Sequence, residues 1–403
     1  MIYGIDYLRR KLNQKRIRVK MRYRYYDMKH LPVDFGISTP PSLQWTMSCL
    51  GWCSTAVDSI ADRLVFREFA NDNFNINEIY QLNNPDVLTD SAILGALISS
   101  CDFIYISTDN DGFPRLEVVD GANATGIMDT TTGMLKEGYA VLERDKFGNA
   151  VVEAYFVPGR TEYYRRGERS VQVFTSTAPY PLLVPIIYKP DAVRPFGRSV
   201  ISRSCMSLVD SAMRTVKRSE ISAEFYSVPQ KFVLGTSPDD DPIDKWTAAM
   251  SAILEITKDD DGDKPTVGQF SQQSMAPYKE EVTMLAGLFA GETGLTLDDL
   301  GFSSGNPASS DAIKASHENL RLKARAAQRS FRSGFLNAGY LAACVRDNQT
   351  YRRNQLYLTT AKWEPIFEPD TAALSGIGDA ANKLQQSFPD YFSEDKLRDL
   401  TGI

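Results

Sequence analysis

Two histidines, His30 and His317, are all the imidazole this 403-residue chain carries, and that scarcity bounds its chemistry. A serine or cysteine nucleophile needs a positioned imidazole beside it. His30 falls in a turn-rich stretch and His317 in a basic run, and neither adjoins a nucleophile motif. The five cysteines, Cys49, Cys53, Cys101, Cys205 and Cys344, form no CxxC pair. Cys49 and Cys53 stand one helical turn apart, a spacing open to a shared metal or to two buried core thiols; no partner pair follows, which favours core thiols. "STDNDG" and "TKDDDG" imitate half a calcium loop, with aspartates at the third and fifth positions and glycine at the sixth. Where such a loop needs a bidentate glutamate, these segments hold Val118 and Gly268, so both read as hairpin turns. Glu280 and Glu281 face different sides of an expected helix and suit a solvated surface. Neither a GxxxxGK[ST] phosphate loop nor a GxGxxG after a strand occurs, so an ATP-driven motor is not encoded. The residues assemble no active site, and we expect no enzyme, no cofactor and no metal.

What remains is a loop and the helix behind it. "GFSSGNPASSDAIKASHENLRLKARAAQRSF", from Gly301 to Phe331, passes from short polar residues into a long basic helix. Ser303, Ser304, Asn306 and Ser309 are uncharged hydrogen-bonding residues, and Asp311 is favourably placed at the helix's positive N-terminal end. Lys314, Arg321, Lys323, Arg325, Arg329 and Arg332 give the helix a basic face, solvated or pairing with acidic groups of another copy. A Ser/Gly/Asn loop before a helix is also ordinary connector chemistry.

The chain is 43% hydrophobic and 24% charged, enough for a substantial core and more than one structural region. The longest apolar stretch, about Ala92 to Ile98, is too short to cross a bilayer. With scattered, odd-numbered cysteines and no secretory or transit pattern, it reads as made and kept in a reducing cytosol. Residues 1 to 30 hold ten Lys/Arg against Asp6 and Asp27, a local +8, which leaves −14 on the other 373 residues of a chain whose net charge is −6. An acidic body with one basic segment is unlike a dedicated duplex-DNA binder, which is basic overall. The basic segment, "YLRRKLNQKRIRVKMRYRYY", suits a basic helix, either packed on a neighbour or offered to nucleic acid.

The fold class expected is α+β. Ser42 is placed to cap a helix carrying Trp45, Cys49, Trp52, Ala56, Ile60 and Leu64 on one face. A short apolar helix follows over Thr89 to Ser99. From Tyr105 to Tyr188, β-rich runs alternate with the turn signals "DNDG", "DTTTG" and "DKFGN", which predicts an antiparallel meander. After Gly197, Ile201, Cys205, Leu208, Ala212, Val216 and Ala223 make a helical stripe ended by Pro229. A small insert with strands "QKFVLG" and "TVGQF" and a helix near 245 to 254 comes next, then the helix "YKEEVTMLAGLFAGETG". Ile313, Leu320, Ala324, Ala327, Phe331, Phe335, Ala338, Leu341 and Val345 predict one helix from Ser310 to Arg346, about 55 Å long, with a bend at Gly334 and Gly339. "TYRRNQLYLTTAKWEP" reads as a strand, and the tail from Asp370 as a short helix.

In order and wording, "YRYYDMKHLPVDFG", "LGWCSTAVDSIADRLVFREF", "FGRSVISRSCMSLVDSAMRTVKRSEISAEFYSVPQKFVLG", "KPTVGQFSQQSMAPY" and "NPASSDAIKASHENLRLKARAAQRSF" resemble the siphophage-type portal (head-to-tail connector) proteins of tailed bacteriophages. The resemblance implies a ring, about twelve copies, around a DNA channel at one capsid vertex. It implies the portal fold: a wing over 1–196, a stem helix over 197–227, a clip over 228–275, a second stem helix over 276–295, a tunnel loop over 296–309, a wing spine helix and strand over 310–369, and a crown over 370–403. Family members often continue further at this end. Implied partners are double-stranded viral DNA, a terminase packaging motor, a head-tail adaptor, and the major capsid and scaffolding proteins, with no membrane. The place implied is the virion, after assembly in the host cytoplasm.

On this resemblance Ser303, Ser304, Asn306, Ser309 and Lys314 line the channel. Arg203, Arg214, Lys217, Arg218, Glu280 and Glu281 belong to the stem, where neighbouring subunits meet, and Arg321, Arg325 and Arg329 to the spine helix. The physics agrees: each neutralised phosphate adds counterion-release affinity, so a channel through which DNA slides must not be heavily cationic. Two other classes stay open on the residues alone: a self-assembling capsid or tail scaffold that never meets DNA, and a nucleic-acid enzyme needing a carboxylate metal cluster.

Overall fold

A computed structural model describes residues 2–35, 39, 43, 45–226, 231–234, 266–269, 274–302, 310–367 and 371–387. The chain divides into two compact units, one of residues 1–30, 51–206 and 291–403, the other of residues 31–50 and 207–290.

The first unit opens with helix α1 (Ile5–Tyr26). Leu8, Leu12 and Val19 are buried on it, and Leu8 and Leu12 pack with Tyr139, Val141 and Tyr155. Those three residues belong to a five-stranded antiparallel meander in chain order, β4 (Ala124–Met128), β5 (Leu135–Arg144), β6 (Ala150–Val157), β7 (Arg160–Arg165) and β8 (Gln172–Thr175). Glu137, fully buried on β5, accepts hydrogen bonds from the backbone N–H groups of Tyr3 (2.7 Å) and Gly4 (2.9 Å) and from the Tyr155 hydroxyl (2.8 Å). An anion thus meets the unpaired N–H groups at the start of α1.

The turn signals work as read. Asp109, Asp129 and Asp145 each take backbone N–H groups of their own turn onto the carboxylate, closed by Gly112, Gly133 and Gly148 at positive φ. The hairpin reading of "STDNDG" holds; "TKDDDG" lies outside the described residues.

Beside the meander lies a three-stranded sheet, β3 (Pro114–Val119), β2 (Cys101–Thr108) and β9 (Leu183–Ile187), all antiparallel. Helix α2 (Trp52–Ala61), strand β1 (Phe66–Ala70), helix α3 (Ile76–Gln81) and helix α4 (Pro85–Ser99) precede it. α2 starts nine residues later than a Ser42 cap predicts, with Gly51 in the N-cap position interrupting the periodic run; Ser42 itself lies outside the described residues. Trp45 is 74% exposed and Cys49 is exposed, so only Cys53 of that pair is a core thiol.

The long helix is broken, and elsewhere than expected. A first piece, α7 (Ser310–Ser316), stops at His317, whose φ of −92° and ψ of 11° leave the helical region; α8 (Glu318–Arg346) then runs unbroken through Gly334 and Gly339. Neither glycine interrupts it. A Cβ at Gly334 would come within 2.6 Å of Ile186 Cδ1, and one at Gly339 within 2.2 Å of Ile76 Cγ2. The glycines let α8 lie against β9 and α3. Leu320, Ala324, Ala327, Phe331, Phe335, Ala338 and Leu341 are all buried, while Ile313 is half exposed. Phe335 stacks at 5.7 Å from Phe66 and 6.2 Å from Trp363. Of "TYRRNQLYLTTAKWEP" only β12 (Thr360–Trp363) is a strand, paired antiparallel with β1; Arg353–Leu356 form a 3-10 turn because the Gln355 side chain accepts from the Arg352 N–H. Helix α9 (Thr371–Ser387) follows.

In the second unit, α5 (Arg203–Tyr226) and α6 (Ala276–Thr293), each reaching into the first unit at one end, flank the antiparallel pair β10 (Lys231–Leu234) and β11 (Thr266–Gln269) in sequence. On α5 the predicted stripe drifts: Cys205, Val209, Ala212 and Met213 are buried, while Ala223 is exposed. The helix expected near 245–254 lies outside the described residues. Among the described residues no helix is long and apolar enough to cross a membrane.

Candidate functional site

The loop residues Ser303, Ser304, Asn306 and Ser309 lie outside the described residues; the two ends that hold them do not. Upstream, Thr296 donates through its N–H (2.7 Å) and hydroxyl (2.9 Å) to Asp299 Oδ2, and its hydroxyl oxygen accepts from the Asp299 N–H (3.2 Å). This reciprocal pairing is a capping box, readable in sequence as Thr-x-x-Asp, and it fixes the 3-10 turn Asp298–Leu300. Phe302 then packs edge-on against Trp52 at 6.4 Å.

Downstream, the break at His317 turns its ring back onto this turn. Nε2 lies 3.1 Å from Asp299 Oδ1, and Nδ1 lies 2.9 Å from the Ile313 carbonyl oxygen. A carboxylate and a carbonyl only accept, so the doubly protonated ring is the form that makes both bonds at once. Burial alone would lower the pKa of His317, but the bonds to Ile313 and Asp299 outweigh it and raise the value above 6.5. For Asp299, burial works upward, and the donors on Thr296 and His317 hold it below the ordinary 3.8. His317 thus ties the start of α8 to the turn that precedes the loop.

Of the basic face, Arg321 bonds twice to Glu318 of its own helix (2.7 and 2.6 Å); an exposed pair of this kind contributes little. Lys323 donates to the Glu292 carbonyl oxygen at 3.0 Å, a cation at the C-terminal end of α6, where unpaired carbonyls collect. Gly294, at φ +80°, leaves room for it. Arg325 and Arg329 are exposed, and Lys314 stands in the last turn of α7.

The stem candidates are spread along two helices. Arg203 is exposed in the first turn of α5. The Lys217 ammonium lies 2.7 Å from Asp34, and the Arg214 guanidinium lies 4.8 Å over the Phe35 ring. Arg218 is half-buried, and Glu280 and Glu281 are exposed on α6. Lys217 thus has an acidic partner within its own chain.

The basic segment turns inward. Lys11 donates to the Gly126 carbonyl (2.6 Å), Lys15 to the Ala124 carbonyl (3.4 Å), and Arg22 to the Ser99 carbonyl (2.7 Å) at the end of α4. The Lys15 ammonium also lies 4.9 Å over Phe103, and Arg9 pairs with Glu153 at 2.5 Å. Lys11, Lys15 and Arg22 thus pack the helix on its own chain, while Arg10, Arg18, Lys20 and Arg24 stay exposed. Among the described residues, no three His, Cys, Asp or Glu side chains converge as a metal site would require.

No protein-family model matches the chain. Two curated proteins match it, each named "Portal protein", from Mycobacterium phage L5 and Mycobacterium phage D29. Both are 25% identical over 385 residues, covering 89% of this chain and 77% of the relative. The resemblance carried by the five phrases therefore extends over most of the chain, which is homologous to these phage portal proteins. Among solved structures, the neck of a native GTA particle computed with C12 symmetry aligns at 14% identity over 87% of this chain and 89% of that one, with a TM-score of 0.46. The neck of an empty GTA particle computed with C6 symmetry aligns at 13% over 92% and 95%, with a TM-score of 0.48.

Proposed function

We propose that copies of this chain form a portal ring at the capsid vertex, a non-enzymatic conduit through which a separate motor drives DNA during packaging and from which DNA leaves on ejection. The observation that carries this reading is the identity with two proteins named portal protein, spread over 385 residues. In the corresponding layout residues 1–196 are the wing, α5 and α6 the stem, 228–275 the clip that docks the terminase motor and later the tail adaptor, and 370–403 the crown. Residues 296–309 form the loop that meets DNA, with Ser303, Ser304, Asn306, Ser309 and Lys314 making brief contacts.

The charge distribution supports it. The chain outside the first 30 residues carries a net −14, and Arg9, Lys11, Lys15 and Arg22 of α1 are engaged by carbonyls and a carboxylate of the same unit. A duplex moving past such a wall releases few counterions and is not gripped. The His317–Asp299 bond gives the loop a fixed base.

Native mass spectrometry or negative-stain imaging of the purified chain is expected to show closed rings, and a species that stays monomeric at all concentrations and salt levels overturns the reading. Replacing Asn306 and Lys314 together is expected to abolish DNA packaging while heads still assemble. Unchanged packaging would favour a scaffold that never touches DNA.

A further inference from the structure

On the open face of α8, Arg329, Arg332, Ser333 and Leu336 border a hollow of about 280 Å³, closed on its other side by Arg353, Leu356, Tyr357 and Thr359. Three guanidinium groups and not one carboxylate line it. Arg353 is pinned there, its Nε donating to Asn337 Oδ1 at 2.9 Å and its guanidinium lying 6.0 Å over the Tyr340 ring. Burial lowers its pKa, and Arg332 lowers it further by like-charge repulsion. Among the described residues neither Arg329 nor Arg332 forms a hydrogen bond or an ion pair. Tyr357 (77% exposed) borders the hollow, with Leu358 (50%) next in sequence. Arg329 and Ser333 also line the adjoining groove of about 890 Å³ that α8 shares with Pro185, Ile187 and Lys189.

Like charges gathered in a hollow repel one another, and an anion placed there relieves that repulsion. Exposed tyrosine and arginine around a fitted depression is also the composition of an interface centre rather than of ordinary surface. The partner's symmetry follows from the signs. An all-cationic patch must meet an acidic surface elsewhere on the adjacent copy, and in a ring that pairing of two different surfaces is a heterologous contact, which closes when its rotation divides the circle. An adjacent copy carries the needed charge, since residues outside the first 30 hold a net −14.

We propose that the Arg329–Arg332–Arg353 hollow is the receiving half of a heterologous contact between two copies of this chain, filled by carboxylates of the adjacent copy. The inference rests on the ring reading above and deepens it by naming one of the surfaces that close the ring.

The test uses the full-length chain with Arg329→Glu and Arg332→Glu together, followed by native mass spectrometry. We expect at least a tenfold loss of closed rings with an unchanged thermal midpoint. The charge-preserving pair Arg329→Lys and Arg332→Lys should keep most of the ring population. Mixed with wild type, the reversed chain should cap growing arcs: its acidic surface still enters a wild-type hollow, while its own hollow refuses the next copy. Should the double reversal fail to fold, Arg329→Glu alone, at an exposed position, gives the same readout. Rings of the reversed chain at wild-type yield overturn the inference. So do rings that close normally but no longer retain DNA, because the hollow would then face nucleic acid. If wild-type chain never closes rings, the ring reading itself fails, and that result is separate from the behaviour of the variant.

Discussion

His317 Nε2 sits 3.1 Å from Asp299 Oδ1, joining two residues eighteen apart in sequence that stand on either side of the polar loop. Folding raises the pKa of His317 above 6.5 and lowers that of Asp299 below 3.8. The histidine's share of stability is full below its unfolded value and is lost as pH rises through its folded value. The aspartate's share is present above its unfolded value and is lost as pH falls. The bond is therefore strongest between about pH 4 and 6.5. Thermal midpoints measured from pH 5 to 8 should fall less steeply for His317→Gln than for wild type; parallel curves would remove the imidazolium assignment.

A second carboxyl, Asp102, shifts the opposite way to Asp299, so its share of stability is lost with rising pH, as that of His317 is. Burial pushes Asp102 up to about 7, while Ser99 and the Gly121 N–H, both donating to its Oδ1, restrain the rise. Because the folded pKa is the higher one, stability is full below about pH 4 and declines as pH rises through 7. Asp102→Asn keeps an acceptor for Ser99 and Gly121 and should flatten that decline between pH 5 and 8, read by urea unfolding at each pH.

The glycines of α8 separate packing from flexibility. Gly339→Ala drives a methyl into Ile76 and should cost about 1–3 kcal/mol. Gly287→Ala on α6, where nothing lies within 4 Å, should gain about 0.5–1 kcal/mol. Denaturant midpoints decide it: equal shifts at both sites would mean that Gly339 is not a contact glycine.

Arg22→Met leaves the Ser99 carbonyl without its donor and should destabilise the chain by about 1–3 kcal/mol. If the α1 cations serve the fold, the salt dependence of DNA retention on the chain should not change with this substitution. A shallower salt slope would mean that α1 does meet phosphate.

The parts of this molecule that sequence displays are those set by local periodicity. The seven predicted apolar positions from Leu320 to Leu341 are all buried, at helical spacing, because one face meets a continuous core. The hairpins of the meander are legible because Asp–Gly turns carry their own hydrogen bonds. Strand β1 and helix α3 escaped notice: β1 exists by pairing with β12, nearly 300 residues away, and five residues hold no period of their own. Gly334 and Gly339 were misread because a missing Cβ looks the same in sequence whether it permits bending or close approach. The break at His317 has no breaker residue and depends on Asp299, which only the fold brings near. Lys15 and Arg22 look like surface charge until the carbonyls of Ala124 and Ser99 are placed beside them. The polar loop itself lies outside the described residues; its tether at Asp299 and His317 is legible only in the fold.

In mechanical terms, Gly334 and Gly339 are where α8 is seated: the Ile186 side chain of β9 and the Ile76 side chain of α3 come directly against its backbone, so a side chain added at either position would have to lift the helix off its support.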